Sequence, residues 1–145
     1  MASLQQIIDD FEFLDDWEDR YRYVIELGRT LEHMPESDKT EASKVQGCVS
    51  QVWLVYRIDA SDPQDPVLFF IGDSDAHIVR GLVAIMLAAC SGKKASEIIA
   101  FDEGALFSKL GLIEHLTPQR ANGLRSLVAR IKSEAKASLE RSAVP

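Results

Sequence analysis

The sequence predicts an α+β fold, a small antiparallel sheet of two to three strands packed with N-terminal and C-terminal helices, on three observations. Helical periodicity occupies both ends of the chain, a two-residue alternation fills the middle, and a short Pro- and Asp-rich turn divides that middle in two. Strands so closely connected pair most naturally as an antiparallel hairpin. Because strands do not alternate with helices, a parallel nucleotide-binding sheet is disfavoured.

The elements follow in order. Leu4, Ile7, Ile8, Phe11 and Leu14 recur at helical spacing behind Ser3, a capping residue, and predict a helix over 4–14. Asp15 or Asp16 caps a second helix, with Trp17, Tyr21, Val24, Gly28 and Leu31 along one face and Pro35 as the stop. "EHMPESDKTEASK" has no periodicity and reads as a mobile surface loop leading to Cys48. From Val49 to Ile58, Val52, Leu54, Tyr56 and Ile58 alternate with Trp53 and Val55, predicting a strand buried on much of both faces. "DASDPQDP" is a turn, and residues 67–71, "VLFFI", are a second strand. Helices are expected to cover the apolar faces of the sheet.

At Gly72 to Asp75 the period switches to that of a helix carrying Ile78, Leu82, Ile85, Met86 and Ala89, with Asp73 or Ser74 as its cap, acidic residues in its first turn and Gly92 as its end. Shorter helices fit 96–101 and 103–110, the latter closed by Gly111. The last helix is the plainest: Thr117 caps, Pro118 takes the first position, and Leu124, Leu127, Val128, Ile131 and Ala135 form the buried stripe.

At 145 residues the chain fits one domain, 1–145, able to bury a core without disulfide or metal support. Its formal charge of −7 repels phosphate backbones and anionic membranes, so nucleic acid is excluded as a first guess. The longest apolar run, Ile78 to Cys90, contains Arg80 and is too short to span a bilayer. An acidic N-terminus lacks the basic start and apolar stretch of a secretory signal, making a cytoplasmic protein the expectation. Cys48 and Cys90 are expected as free thiols, and with His33, His77 and His115 they show none of the close spacing of zinc sites, so no metal is assigned.

Cys48 is the leading candidate for chemistry. Gly47 in front of it permits unusual backbone angles and close approach by a partner, and Lys44 is a nearby cation that could stabilise a thiolate. Cys90, among alanines at the end of an apolar helix, reads as core. "GDSDA" echoes the nucleophile elbow of hydrolases, but the architecture has no large parallel sheet and no histidine is placed to activate Ser74. "SGKKAS" lacks the upstream glycine and the hydroxyl residue of a phosphate loop. Arg120, a cation in the first turn of the last helix where the dipole disfavours it, hints at a partner.

Four blocks in this order, "WEDRYRYVIELG" (17–28), "VQGCVSQVW" (45–53), "GDSDAHIVRGL" (72–82) and "LGLIEHLTPQRANGL" (110–124), resemble the SufE family of sulfur-acceptor proteins. The resemblance implies a partner of a pyridoxal-phosphate cysteine desulfurase (SufS-like). Cys48 would accept sulfur as a persulfide, stimulate the desulfurase and pass sulfur toward iron–sulfur cluster assembly on a SufBCD-like scaffold. It further implies an accessory sulfurtransferase component without turnover or cofactor of its own, monomeric or homodimeric, with an architecture shared with IscU-type scaffolds. The chain lacks the additional ligand cysteines of those scaffolds, which argues against cluster building. Around Cys48, the residues Gln46, Gly47, Ser50, Gln51 and Trp53 are expected to form the loop and partner surface, with Asp75 and Arg120 shaping its surroundings. The loop is expected to rest sheltered against the Trp53 strand. A non-carrying regulatory binding module is the alternative.

Overall fold

The computed structural model describes residues 2–143. Helices α1 (Leu4–Phe13) and α2 (Trp17–Gly28) precede strands β1 (Val52–Asp59) and β2 (Val67–Ser74), followed by α3 (His77–Cys90), a short β3 (Lys93–Lys94), α4 (Ala95–Ala100), α5 (Glu103–Leu110) and the long α6 (Pro118–Ala143). The sheet is antiparallel in the order β1-β2-β3, so the third strand adds two residues beyond the predicted hairpin. The α+β architecture is the one expected.

Capping chemistry sets the helix starts as predicted. Ser3 Oγ accepts the Gln6 N–H, and Thr117 Oγ1 accepts that of Arg120 ahead of Pro118. Asp16 rather than Asp15 caps α2, accepting the Glu18 N–H at 2.7 Å. That helix ends at Gly28, before Leu31, and Tyr21, expected on its buried face, is exposed. Gly111 closes α5 with φ +65°, the left-handed geometry glycine adopts without steric cost.

Two expectations fail at the sheet. The Gly72–Ser74 segment is the end of β2, not a helix cap: Val52 pairs with Ser74 and Leu54 with Gly72. Consequently α3 starts at His77 with no acidic residue in its first turn and no side-chain cap. Asp73 instead pairs with Lys39 at 3.2 Å and Arg80 at 3.0 Å, and Ser74 Oγ accepts the Ala76 N–H. Secondly, only one face of the sheet is deeply buried. Leu68 and Phe70 with Val52 and Leu54 join the core beneath α3, whereas Trp53 and Phe69 remain half-buried on the other face under Lys39 and Arg57.

A close crossing joins α2 to α3. A Cβ built on Gly81 would lie 1.9 Å from the Val24 carbonyl oxygen, and one on Gly28 would lie 2.8 Å from the Gly81 nitrogen. Only paired glycines let these backbones touch. The core then runs continuously from Ile7, Phe11 and Val24 through Leu82, Ile85 and Met86 of α3 to Leu124, Leu127 and Ile131 of α6.

Candidate functional site

The segment expected to be a mobile surface loop is pinned. Met34 and Ser43 are buried, residues 36–38 form a 3-10 turn, and residues 43–45 run antiparallel to β1. Val45 N–H donates to the Val52 carbonyl and Leu54 N–H to that of Ser43, both at 2.8 Å. From α6, the Arg130 guanidinium donates to the carbonyls of Ala42 (2.7 Å) and Lys44 (3.2 Å). Between residues 43–45 and β1 runs a short loop, 46–51, closed at its base by the Val45 and Val52 pair.

Its far stem is tied as well. The Asp75 carboxylate accepts the Gln51 N–H at 3.0 Å, while the Asp75 N–H donates to the Gln51 carbonyl at 3.3 Å. At the tip, Gly47 has φ +89°, and a Cβ there would also stand 2.6 Å from Ser126 Oγ. A Gly47→Ala variant is therefore expected to lose about 1–2 kcal/mol of stability from the left-handed backbone alone, read by denaturant unfolding.

This geometry turns Cys48 inward and Val49 outward, the latter 77% exposed. The Cys48 thiol is half-buried and donates to the Gly123 carbonyl oxygen of α6 at 3.5 Å. Beside it lies a cavity of about 260 Å³, walled by Val52 of β1, Val79, Leu82 and Val83 of α3, and Leu124 and Leu127 of α6. Thr117, Gln119 and Arg120 form its polar side. The space is mostly apolar, with its polar groups gathered on one side, and is large enough for additional sulfur.

Electrostatics follow from that setting. Burial pushes the Cys48 thiol above its ordinary value, so at neutral pH the resting group is the neutral thiol. Lys44, expected as a thiolate-stabilising cation, makes no contribution to this shift; its segment is held to β1 by the bridge to Trp53. Arg120 is the one charged side chain on the cavity wall, and among the described residues no carboxylate pairs with it. Cys90 is fully buried and pushed up to about 12, mainly by desolvation, which leaves it inert as a nucleophile.

Of the residues expected around the thiol, Ser50 and Arg120 line the cavity, while Gln51 and Asp75 join to hold the loop stem. Gln46 and Gly47 are exposed at the tip. Trp53 is not part of the shelter: one residue along the strand from Val52, it points to the opposite face, where Lys39 lies 5.1 Å from its ring centre. The resting thiol lies against Gly123 of α6, beside a cavity that the Trp53 strand walls through Val52. Gly123, Ser126 and Arg130 went unrecognised in the sequence. A glycine inside an otherwise regular helical pattern was the available signal.

The class defined so far is an α+β protein that presents one thiol, on a loop tethered at both stems, above an apolar cavity. Residues 5–135 match the SufE family, described as the Fe-S metabolism associated domain. An uncharacterized SufE-like protein of Rhizobium meliloti is 66% identical over 139 residues, 96% of this chain and 99% of the relative. A second uncharacterized SufE-like protein, from Rhizobium etli, is 65% identical over 136 residues, covering 94% and 91% of the two chains. The solution structure of a hypothetical protein from Thermus thermophilus shares the fold with a TM-score of 0.70 at 21% identity, over 97% of this chain and 99% of that one. The chain belongs to the SufE family, and that places it in iron–sulfur metabolism. Among the described residues no helix is long and apolar enough to cross a membrane.

Proposed function

We propose that this protein is a sulfur carrier: Cys48 takes persulfide sulfur from a pyridoxal-phosphate cysteine desulfurase, stimulates that enzyme and delivers the sulfur to a cluster-assembly scaffold. The observation that carries the reading is the placement of Cys48 at the tip of a loop with fixed stems, its sulfur half-buried beside an apolar cavity, in a chain of the SufE family. A carrier needs a thiol that enters another protein's active site and then shields what it has collected. A short tethered loop supplies reach, and the cavity supplies shelter from reductants and oxidants.

The chemistry is thiol exchange. Cys48 as thiolate attacks the outer sulfur of the donor's persulfide, and the donor cysteine departs as thiolate. Because burial favours the protonated thiol at rest, ionisation accompanies exposure of the loop to the partner. The cofactor belongs to the donor, so this chain acts as an accessory component without turnover of its own.

Sulfide release by a cysteine desulfurase with cysteine and a reductant tests the reading. The parent protein is expected to raise the rate, and a Cys48→Ala variant to leave it at the level of the desulfurase alone. Stimulation retained by Cys48→Ala would make the protein a regulatory module and overturn the carrier.

A further inference from the structure

The loop that carries Cys48 leaves one apolar side chain in water. Val49 is 77% exposed, although it borders the same cavity that Cys48 faces. That cavity suits it: Val79, Leu82 and Val83 of α3, Val52 of β1, and Leu124 and Leu127 of α6 give it an apolar wall. At about 260 Å³ the space holds a valine side chain with room to spare. Val49 stays outside because neighbouring side chains of an extended segment point to opposite sides, and in the resting loop Cys48 holds the inner place.

We propose that Val49 is a place-holder for Cys48: when the loop turns its thiol outward, Val49 swings into the cavity and keeps it filled. The outward turn itself rests on the carrier reading, since a thiol that reaches a partner's sulfur must leave its seat on Gly123. The loop is built to turn rather than to lengthen. Its base is closed by the Val45 N–H to the Val52 carbonyl at 2.8 Å, and its far stem by the Gln51 N–H to the Asp75 carboxylate at 3.0 Å. With both ends fixed, rotation about the line joining them exchanges inner and outer side chains. Gly47, at φ +89°, supplies the pivot, because glycine crosses between left- and right-handed backbone at little cost.

Burial favours this exchange over a simple swing of the thiol. Departure of Cys48 alone opens the cavity to water, and Val52, Leu82, Val83, Leu124 and Leu127 are all buried at rest. Wetting such surface is unfavourable in proportion to its area. Val49 covers these walls and removes its own side chain from water in the same movement, which offsets the loss of the Cys48 seat. Thr117, Gln119 and Arg120 form the polar side and need no cover. When Cys48 returns with its sulfur, Val49 yields the space and the shelter is restored.

The test is labelling of Cys48 in the full, unloaded chain by a maleimide bearing a dye too bulky for the cavity, with peptide mapping to separate Cys90. Such a reagent reads the outward state. Val49→Ser removes the apolar side chain that stabilises this state and is expected to slow labelling about tenfold, as burial of one aliphatic side chain implies. Val49→Leu keeps an apolar side chain and is expected to label at least as fast as the parent. Position 49 is exposed, so both variants keep the fold. A valine that merely stood at the cavity mouth would act in the opposite sense, because trimming it opens the way to the thiol. Labelling of Val49→Ser at the parent's rate or faster would overturn the proposal, and so would a Val49→Leu protein as slow as Val49→Ser. The expected labelling rates without sulfur uptake from a desulfurase would strike the carrier reading alone.

Discussion

A Cys48→Ser protein is expected to support no sulfur delivery above background in a cluster-maturation assay while keeping the parent's fold and melting temperature. Serine fits the half-buried position at the loop tip and retains a hydrogen-bond donor toward Gly123, so the seat is preserved. What is lost is the nucleophile. An unactivated hydroxyl ionises far above the thiol range and forms no persulfide, so the change removes the step rather than slowing it. Cys90 offers no rescue, being fully buried with its thiol pushed up to about 12. Maturation at the parent's rate by Cys48→Ser would refute the assignment.

The largest effect on stability is expected at the α2 to α3 crossing. Gly81→Ala would place a methyl group 1.9 Å from the Val24 carbonyl oxygen and 2.5 Å from Val24 Cγ1, against backbone that cannot turn away as a side chain would. The two helices must separate, opening the packing around Val24, Leu82 and Ile85. Overpacking of this kind costs about 3 kcal/mol or more, a large share of a typical domain's stability. For a chain of this size that corresponds to a fall in Tm of about 10 °C, measurable by calorimetry. An unchanged Tm would mean that the helices do not meet at these glycines.

Where local chemistry alone decides a structure, it was legible in the chain. Ser3 and the Thr117–Pro118 pair cap helices because a hydroxyl oxygen needs only the nearby N–H groups it meets at a helix start. The hairpin was readable from the alternation in β1, where Val52 and Leu54 are buried and Trp53 and Val55 are not, and from the Pro- and Asp-rich turn after it. Gly72 and Asp73 misled for a tertiary reason. Glycine is required in the strand because Val83 of α3 comes within 2.7 Å of where its Cβ would be, and Asp73 is retained there by Lys39 and Arg80. Neither partner is near in sequence to signal it.

The candidate site divides the same way. Cys48 stood out through Gly47 and the surrounding block, whose residues are contiguous in the chain. Its seat did not, since Gly123 lies 75 positions away and the apolar stripe of α6 reads as regular without it. The order of residues 42–45 was equally hidden: a polar segment is held by Arg130 from 86 to 88 residues downstream. Strand parity sets Trp53 apart from the thiol. Alternation along β1 separates it from Val52 by a face, and only packing determines which face meets the thiol.

The most direct test of the central claim is intact mass spectrometry of the parent protein after incubation with a cysteine desulfurase and cysteine, with the gain mapped to a peptide. A single added sulfur on the peptide containing Cys48, removed by a thiol reductant, is the predicted result. A desulfurase that is stimulated while the mass of this protein stays unchanged, or a gain that maps to Cys90, would contradict it.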